Sequence, residues 1–226
     1  MIKTCLVVAA HPDDEVLGCG GTIARFSSEG VSLFTLILGE GVTSRDSIRS
    51  QEQRKRELKD LHEAAREANH LLGAQDVFFE NLPDNRFDSL DLLDITKIVE
   101  RYVEKIQPEW VFTHNESDIN NDHSIVLKAV ETACRPLPGH PVKGLFSFPI
   151  LSSTEWNFKN NFCPNFFIDI ESFIHKKINA MKIYSSELKL WPHPRSIKTI
   201  TINSQLYGSY TGKNNVEAFR IIRMML

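Results

Sequence analysis

The chain has 226 residues, a formal net charge of −3, 42% hydrophobic and 24% charged residues, the profile of one ordinary α/β domain with nothing to suggest a second. The slight negative balance, with no basic run beyond the RKR at residues 54–56, excludes an electrostatic nucleic-acid footprint. Four cysteines without a CxxC pair read as free thiols in a reducing compartment, and neither a membrane-length apolar run nor a signal-peptide layout is found, so a cytoplasmic protein without a membrane partner is expected.

The first element decides the reading of the rest. Cys5, Leu6, Val7 and Val8, followed by Ala9 and Ala10, suit a strand covered on both faces. Pro12 forces His11 into extended geometry and ends that strand, which presents His11, Asp13 and Asp14 at its carboxyl end. Open α/β sheets place their sites there. An imidazole and a carboxylate three residues apart on a tight turn can reach one cation, while the neighbouring acid is free to hold a water. Adjacent acids beside a buried strand need a cation or hydrogen bonds to offset their desolvation. Helix capping by Asp13 or Asp14 is the competing reading. It explains one acid and leaves the histidine and the other acid without a purpose.

AHPDDE followed by VLGCGGT resembles the opening of the PIG-L/LmbE family of zinc-dependent N-acetylglucosamine deacetylases. The resemblance implies that His11 and Asp14 bind a metal and that Asp13 is the general base. It also implies a small N-acetylated sugar as substrate.

Residues 16–28 suit a helix stopped by Gly30, with Gly18, Gly20 and Gly21 implying close backbone approach. A dinucleotide fingerprint GxGxxG would require glycine where Ile23 stands, which excludes that cofactor. Residues 31–38 form a second strand, and the loop 39–47 after it should border the same cleft. A long charged helix over 50–72 ends at Gly73; its charges read mainly as a solvated face, with Arg54 or Arg56 as candidates to reach a substrate. A third strand covers 76–79. The LPDNRFD loop leads into a helix over 90–106, and its likeness to the family makes Asp84 and Arg86 candidate substrate contacts. A plain turn on Pro83, Asp84 and Asn85 is the alternative.

Pro108 breaks that helix before a fourth strand, 109–113, and a helix over 123–134. A fifth strand spans 146–150. Beyond it come a strand at 165–170, an amphipathic helix at 171–186, a helical or mixed segment at 196–207 and the terminal VEAFRIIR. The alternation predicts a single-domain, mostly parallel, doubly wound (Rossmann-like) sheet with helices on both faces. On this reading residues 1–226 are one domain, a core of about 1–150 and a C-terminal elaboration of about 151–226.

The family resemblance continues at Asp122-His123, which implies His123 as third metal ligand, oriented by Asp122. Two imidazoles and one carboxylate suit Zn2+ with an open position. The same set serves Fe2+ or another divalent transition metal. Many relatives carry His-x-Asp-His here, but this chain has Asn120, which can donate to an oxyanion yet cannot act as an acid near neutral pH. Protonation of the leaving amine then falls to Asp13, or to His114 or His193, the latter in a WPHPRS stretch that also looks like a subset of the family. The resemblance implies removal of an N-acetyl group by metal-activated water. A different amide such as a thiol conjugate, or a sugar-binding relative without activity, are the alternatives. Relatives often form closed homo-oligomers, which makes self-association an expectation for this chain.

Overall fold

The computed structural model describes residues 2–42 and 51–225, with the side chains of 51–54 outside the described set. The expectations for residues 43–47 of the loop after the second strand, and for the reach of Arg54, therefore lie outside the described residues. Seven strands form one sheet: β1 (Thr4–Ala9), β2 (Ser32–Gly39), β3 (Asp76–Leu82), β4 (Trp110–His114), β5 (Gly144–Phe148), β6 (Phe166–Asp169) and β7 (Val216–Met224). Their order is β3-β2-β1-β4-β5-β7-β6. The first five are mutually parallel, and β7 runs antiparallel between β5 and β6.

Six helices cover the sheet: α1 (Asp14–Ser28), α2 (Gln51–Leu72), α3 (Leu92–Ile106), α4 (Asn121–Ala133), α5 (Ile174–Ile183) and α6 (Ile197–Thr211). The period-2 geometry of a strand sends alternate side chains to opposite faces. Cys5 and Val7 pack with α1, α2 and α5, while Leu6 and Val8 pack with α3 and α4. Both halves of the alternation in β1 are apolar because both faces are covered, as a central parallel strand requires.

The chain leaves β1 toward β2 on one side and returns to β4 on the other. The carboxyl ends of β1 and β4 therefore diverge into a crevice, the place where doubly wound sheets bind ligands. His11 and Asp13 follow β1, His114 ends β4, and His123 lies in the first turn of α4. The motif residues that are far apart in sequence meet because the topology reverses there.

The glycines of α1 are explained by close approach. A Cβ on Gly18 would stand 2.3 Å from the Phe148 ring, and one on Gly21 would stand 2.6 Å from Ile170. Bare backbone at these positions lets the end of β5 and the residue after β6 reach the helix.

The C-terminal third differs from its expected form. The terminal VEAFRIIR is a full strand inserted in the sheet, the segment at 196–207 is a regular helix, and α5 is shorter than 171–186. Their sequences lack the clean patterns of β1, because β7 has one well-buried half and one half-buried half and α6 mixes Thr, Ser and Tyr with its aliphatic residues.

Candidate active site

Pro12 ends the strand, as expected, and the chain turns so tightly that Asp13 adopts φ 102°, a left-handed conformation uncommon for a residue with a Cβ. Glu15 holds that turn, its Oε2 accepting the Asp13 backbone N–H at 3.1 Å. The other oxygen of Glu15 is bound by Tyr184 Oη at 2.5 Å and Asn69 Nδ2 at 2.9 Å. Burial raises the Glu15 carboxyl to about 7. Asp13 occupies the N-cap position of α1 without making a side-chain cap, so its carboxylate is left for other work.

His11, Asp14 and His123 converge: one ligand atom from each lies within 4.8 Å of the others. Asp14 Oδ2 stands 3.4 Å from His11 Nδ1 and 3.3 Å from His123 Nε2. Asp14 is wholly buried, and neither its Oδ1 nor His123 Nε2 has a hydrogen-bond partner. Buried polar atoms are almost always satisfied, so two orphaned atoms within one group of ligand-type side chains point to a cation site. Electrostatics agree. Burial opposes the charge on both rings, yet hydrogen bonds donated to Asp122 and Asp14 lift His11 to about 10, and the Asp14 charge and Asp118 lift His123 to about 9. Burial likewise opposes ionisation of Asp14, but the His123 charge and both imidazole contacts hold it well below the usual carboxylate range. These surroundings are built for positive charge, and two imidazole nitrogens with one carboxylate are a donor set suited to Zn2+. The residues fit the metal that the motif implied.

The supporting carboxylates are arranged differently from expectation. Asp122 does not orient His123: its Oδ2 lies 3.0 Å from His11 Nε2 and accepts the Asn85 N–H at 2.7 Å, while Oδ1 accepts the Phe87 N–H at 3.0 Å. Placed in the first turn of α4, Asp122 points across to the 83–87 loop and fixes both that loop and His11. Asp118 stands beside His123 instead, with Oδ2 3.0 Å from Nδ1 and held by the hydroxyls of Ser153 and Thr154, each at 2.7 Å. Asp84 also faces His11, with Oδ1 3.2 Å from Nε2. Its carboxylate is buried against His11. Arg86, by contrast, is exposed.

Asn120 caps α4, its Oδ1 accepting the Asp122 N–H at 2.9 Å, and its amide nitrogen faces Asn85 Oδ1 at 3.4 Å. The side-chain oxygen is therefore engaged in holding the helix that carries Asp122 and His123. His114 is fully buried, stacks on His123 with ring centroids 4.0 Å apart, and accepts the Ala10 N–H through Nε2 at 2.8 Å. Burial and the His123 charge press its pKa well below the ordinary imidazole value. Its position at the end of a central strand makes it a neutral brace between β1, β4 and α4, not a substrate contact. His193 accepts the Arg195 N–H through Nδ1 at 3.0 Å and sits beside Trp156; among the described residues it makes no contact with the metal-ligand group.

The residue that sequence reading missed is Arg195. Its Nη1 donates to Asp13 Oδ2 at 2.9 Å and lies 3.4 Å from Glu187 Oε2, and its Nε donates to Ser152 Oγ at 2.7 Å. Burial pushes the Asp13 carboxyl well up, and the Arg195 charge pulls it part of the way back. Arg195 is the fifth letter of WPHPRS, two places after His193, and nothing in the local pattern marks an arginine there as a partner of Asp13. Asp118 was equally visible in the segment before His123, without a spacing rule to single it out.

Comparison with known proteins gives this geometry a family. Residues 6–134 match the family model described as PIG-L: GlcNAc-PI de-N-acetylase. The chain belongs to the PIG-L family. The matched segment runs from β1 through α4 and so contains His11, Asp13, Asp14 and His123. The uncharacterized deacetylase YaiS of Escherichia coli K12 is 30% identical over 141 residues, covering 60% of this chain and 70% of that protein. Among solved structures, the N,N'-diacetylchitobiose deacetylase of Pyrococcus horikoshii superimposes with a TM-score of 0.79 at 20% identity, over 98% of this chain and 84% of that one. The 4-carboxy-2-hydroxymuconate hydratase of Pseudomonas putida KT2440 also superimposes, with a TM-score of 0.77 at 20% identity over 100% and 98% of the two chains. The PIG-L fold thus accommodates more than one reaction, and the side chains at the crevice must select among them.

Proposed function

We propose that this PIG-L protein is a metal-dependent hydrolase that removes the N-acetyl group from an N-acetylglucosamine-type sugar or its conjugate. The observation that carries the reading is the convergence of His11, Asp14 and His123 on orphaned, buried atoms beside a separate carboxylate, Asp13. A binding module would have no use for that second acid. The family description and the deacetylase named at 30% identity direct the reading to an N-acetyl sugar rather than to the hydratase reaction of the fold neighbour.

His11, Asp14 and His123 would hold Zn2+, which when bound supplies a Lewis acid that polarises a carbonyl and acidifies water to a pKa of about 7. Asp122 and Asp84 steady His11, and Asp118 steadies His123, as the outer partners of ligating histidines do. Asp13 accepts the proton of the attacking water as its oxygen bonds to the acetyl carbon. The C–N bond then breaks, and Asp13 returns the proton to the departing nitrogen, giving acetate and a free amine. With His114 buried and pressed towards its neutral form, and His193 turned to Arg195 and Trp156, Asp13 is the group left to serve in both directions.

Purified protein loaded with zinc should release acetate from at least one member of a panel of N-acetylglucosamine derivatives, and a chelator should stop it. Asp13→Asn should abolish turnover while binding metal in full ratio, whereas His11→Ala and Asp14→Ala should lose metal and turnover together. Full metal content in the latter pair would overturn the ligand assignment, and no acetate from any derivative would overturn the reaction.

A further inference from the structure

Asp13 is a poor candidate for a general base if it is left to itself. Its backbone is in the left-handed region, its neighbours Asp14 and Glu15 are both buried acids, and no helix-cap bond holds its side chain. A carboxylate in such a place turns away from like charge unless something fixes it. Two groups do. Glu15 takes its backbone N–H, and Arg195, 182 residues further along, takes Oδ2.

Arg195 is itself a clamped side chain rather than a wandering surface cation. Ser152 Oγ receives Nε, and Glu187 lies against the same Nη1 that reaches Asp13. The guanidinium side chain is only 22% exposed. A planar fork fixed at two points transmits a defined direction to its third partner, in a way a lysine ammonium does not. Among the described residues no hydrogen bond engages Asp13 Oδ1.

We infer that Arg195 is the positioning residue of the general base: it anchors Asp13 through Oδ2 and leaves Oδ1 as the oxygen that takes and returns the proton. Ser152 and Glu187 hold the anchor. The loop from Leu190 to Arg195 thereby becomes part of the reaction geometry through its contact with Asp13. The inference rests on the deacetylase reading.

Two experiments on the full chain test it. Equilibrium unfolding of the wild type, Asp13→Asn, Arg195→Gln and the double variant reads the contact without any substrate. The effect of Arg195→Gln on the unfolding constant should shrink by about fivefold or more once Asp13 is already Asn, within the range of coupling between touching residues. In turnover, Arg195→Ala should lower kcat by about 10²-fold, the scale of a small misplacement of a reacting group. KM and metal content should stay within about twofold, and added guanidinium ion should restore part of kcat. Arg195→Lys, which keeps the charge without the fork, should fall between and covers the case of an alanine variant that does not fold. A wild type that releases no acetate overturns the reaction and the role of Arg195 with it. An active wild type with additive unfolding effects, or with a kcat loss that guanidinium leaves untouched, overturns the role of Arg195 alone.

Discussion

At the scale of single residues, the site is organised by partners more than by the ligands themselves. His11 and Asp14 stood out from their spacing in AHPDDE, whereas His123 and the role of Asp13 came from the resemblance to the family. Their supports obey no spacing. Asp118 and Asp122 are four residues apart in sequence, and only the path of the loop into α4 decides that the first faces His123 and the second His11. This assignment can be measured. Asp118→Ala should weaken metal binding by about 10–100-fold, the usual cost of losing a partner of a ligating histidine, with His11 and the 83–87 loop undisturbed. Asp122→Ala should weaken metal binding and also loosen that loop, since Asn85 and Phe87 lose their acceptor. Metal titration with hydrogen exchange at residues 85 and 87 separates the two, and equal loosening in both variants would contradict the assignment. Asn120 illustrates the limit of analogy at this scale. Its Oδ1 accepts a backbone N–H at the helix start, while its Nδ2, the donor end, faces Asn85 Oδ1 at 3.4 Å.

Among the elements, α1 shows how a motif can be structural and chemical at once. The sequence LGCGG announced that something comes close, without saying what. The structure supplies the ring of Phe148 and the side chain of Ile170. A glycine in a helix interior ordinarily gains about 1 kcal/mol on replacement by alanine. Gly21→Ala should do the opposite, losing about 1–3 kcal/mol because the new methyl overpacks against Ile170. Thermal or denaturant unfolding reports the sign directly, and a stabilised variant would show that the contact can yield. The strands with strong apolar runs were legible, and so were helices with sharp stops at Gly30 and Gly73. The elements of the last third were blurred because they are half exposed, so their hydrophobic pattern was thinned by polar residues. β7 in particular lies between β5 and β6 and runs against β5, a placement that no local pattern specifies.

For the molecule as a whole, the division into a core of 1–150 and an elaboration of 151–226 understates the second part. Among the described residues, α5 and α6 cover one face of the same sheet that carries the site, and β7 completes it. Arg195 comes from that part, and so does the buried pair Lys177–Glu217. Glu217 accepts the backbone N–H groups of Gly21 and Thr22, while Lys177 donates to the Leu17 carbonyl. In α1, unbroken from Asp14 to Ser28, the Gly21 N–H and the Leu17 carbonyl stand in the i, i+4 relation of a helix. Here an ion pair from the far end of the chain engages both. A fragment of residues 1–150 should therefore lack a cooperative unfolding transition and near-ultraviolet dichroism. Finding both would restore the simpler division.

That same ion pair sets an order of events during synthesis. α1 leaves the ribosome early, bearing the ligand Asp14, but its partners lie 160 residues away at Lys177 and 196 away at Glu217. Contacts of such separation form late and slowly. The nascent N-terminal half must wait with its glycine face uncovered, a state in which exposed apolar surface invites aggregation. The N-terminal turns of α1, Asp14 among them, thus depend for their final packing on the last strand of the chain.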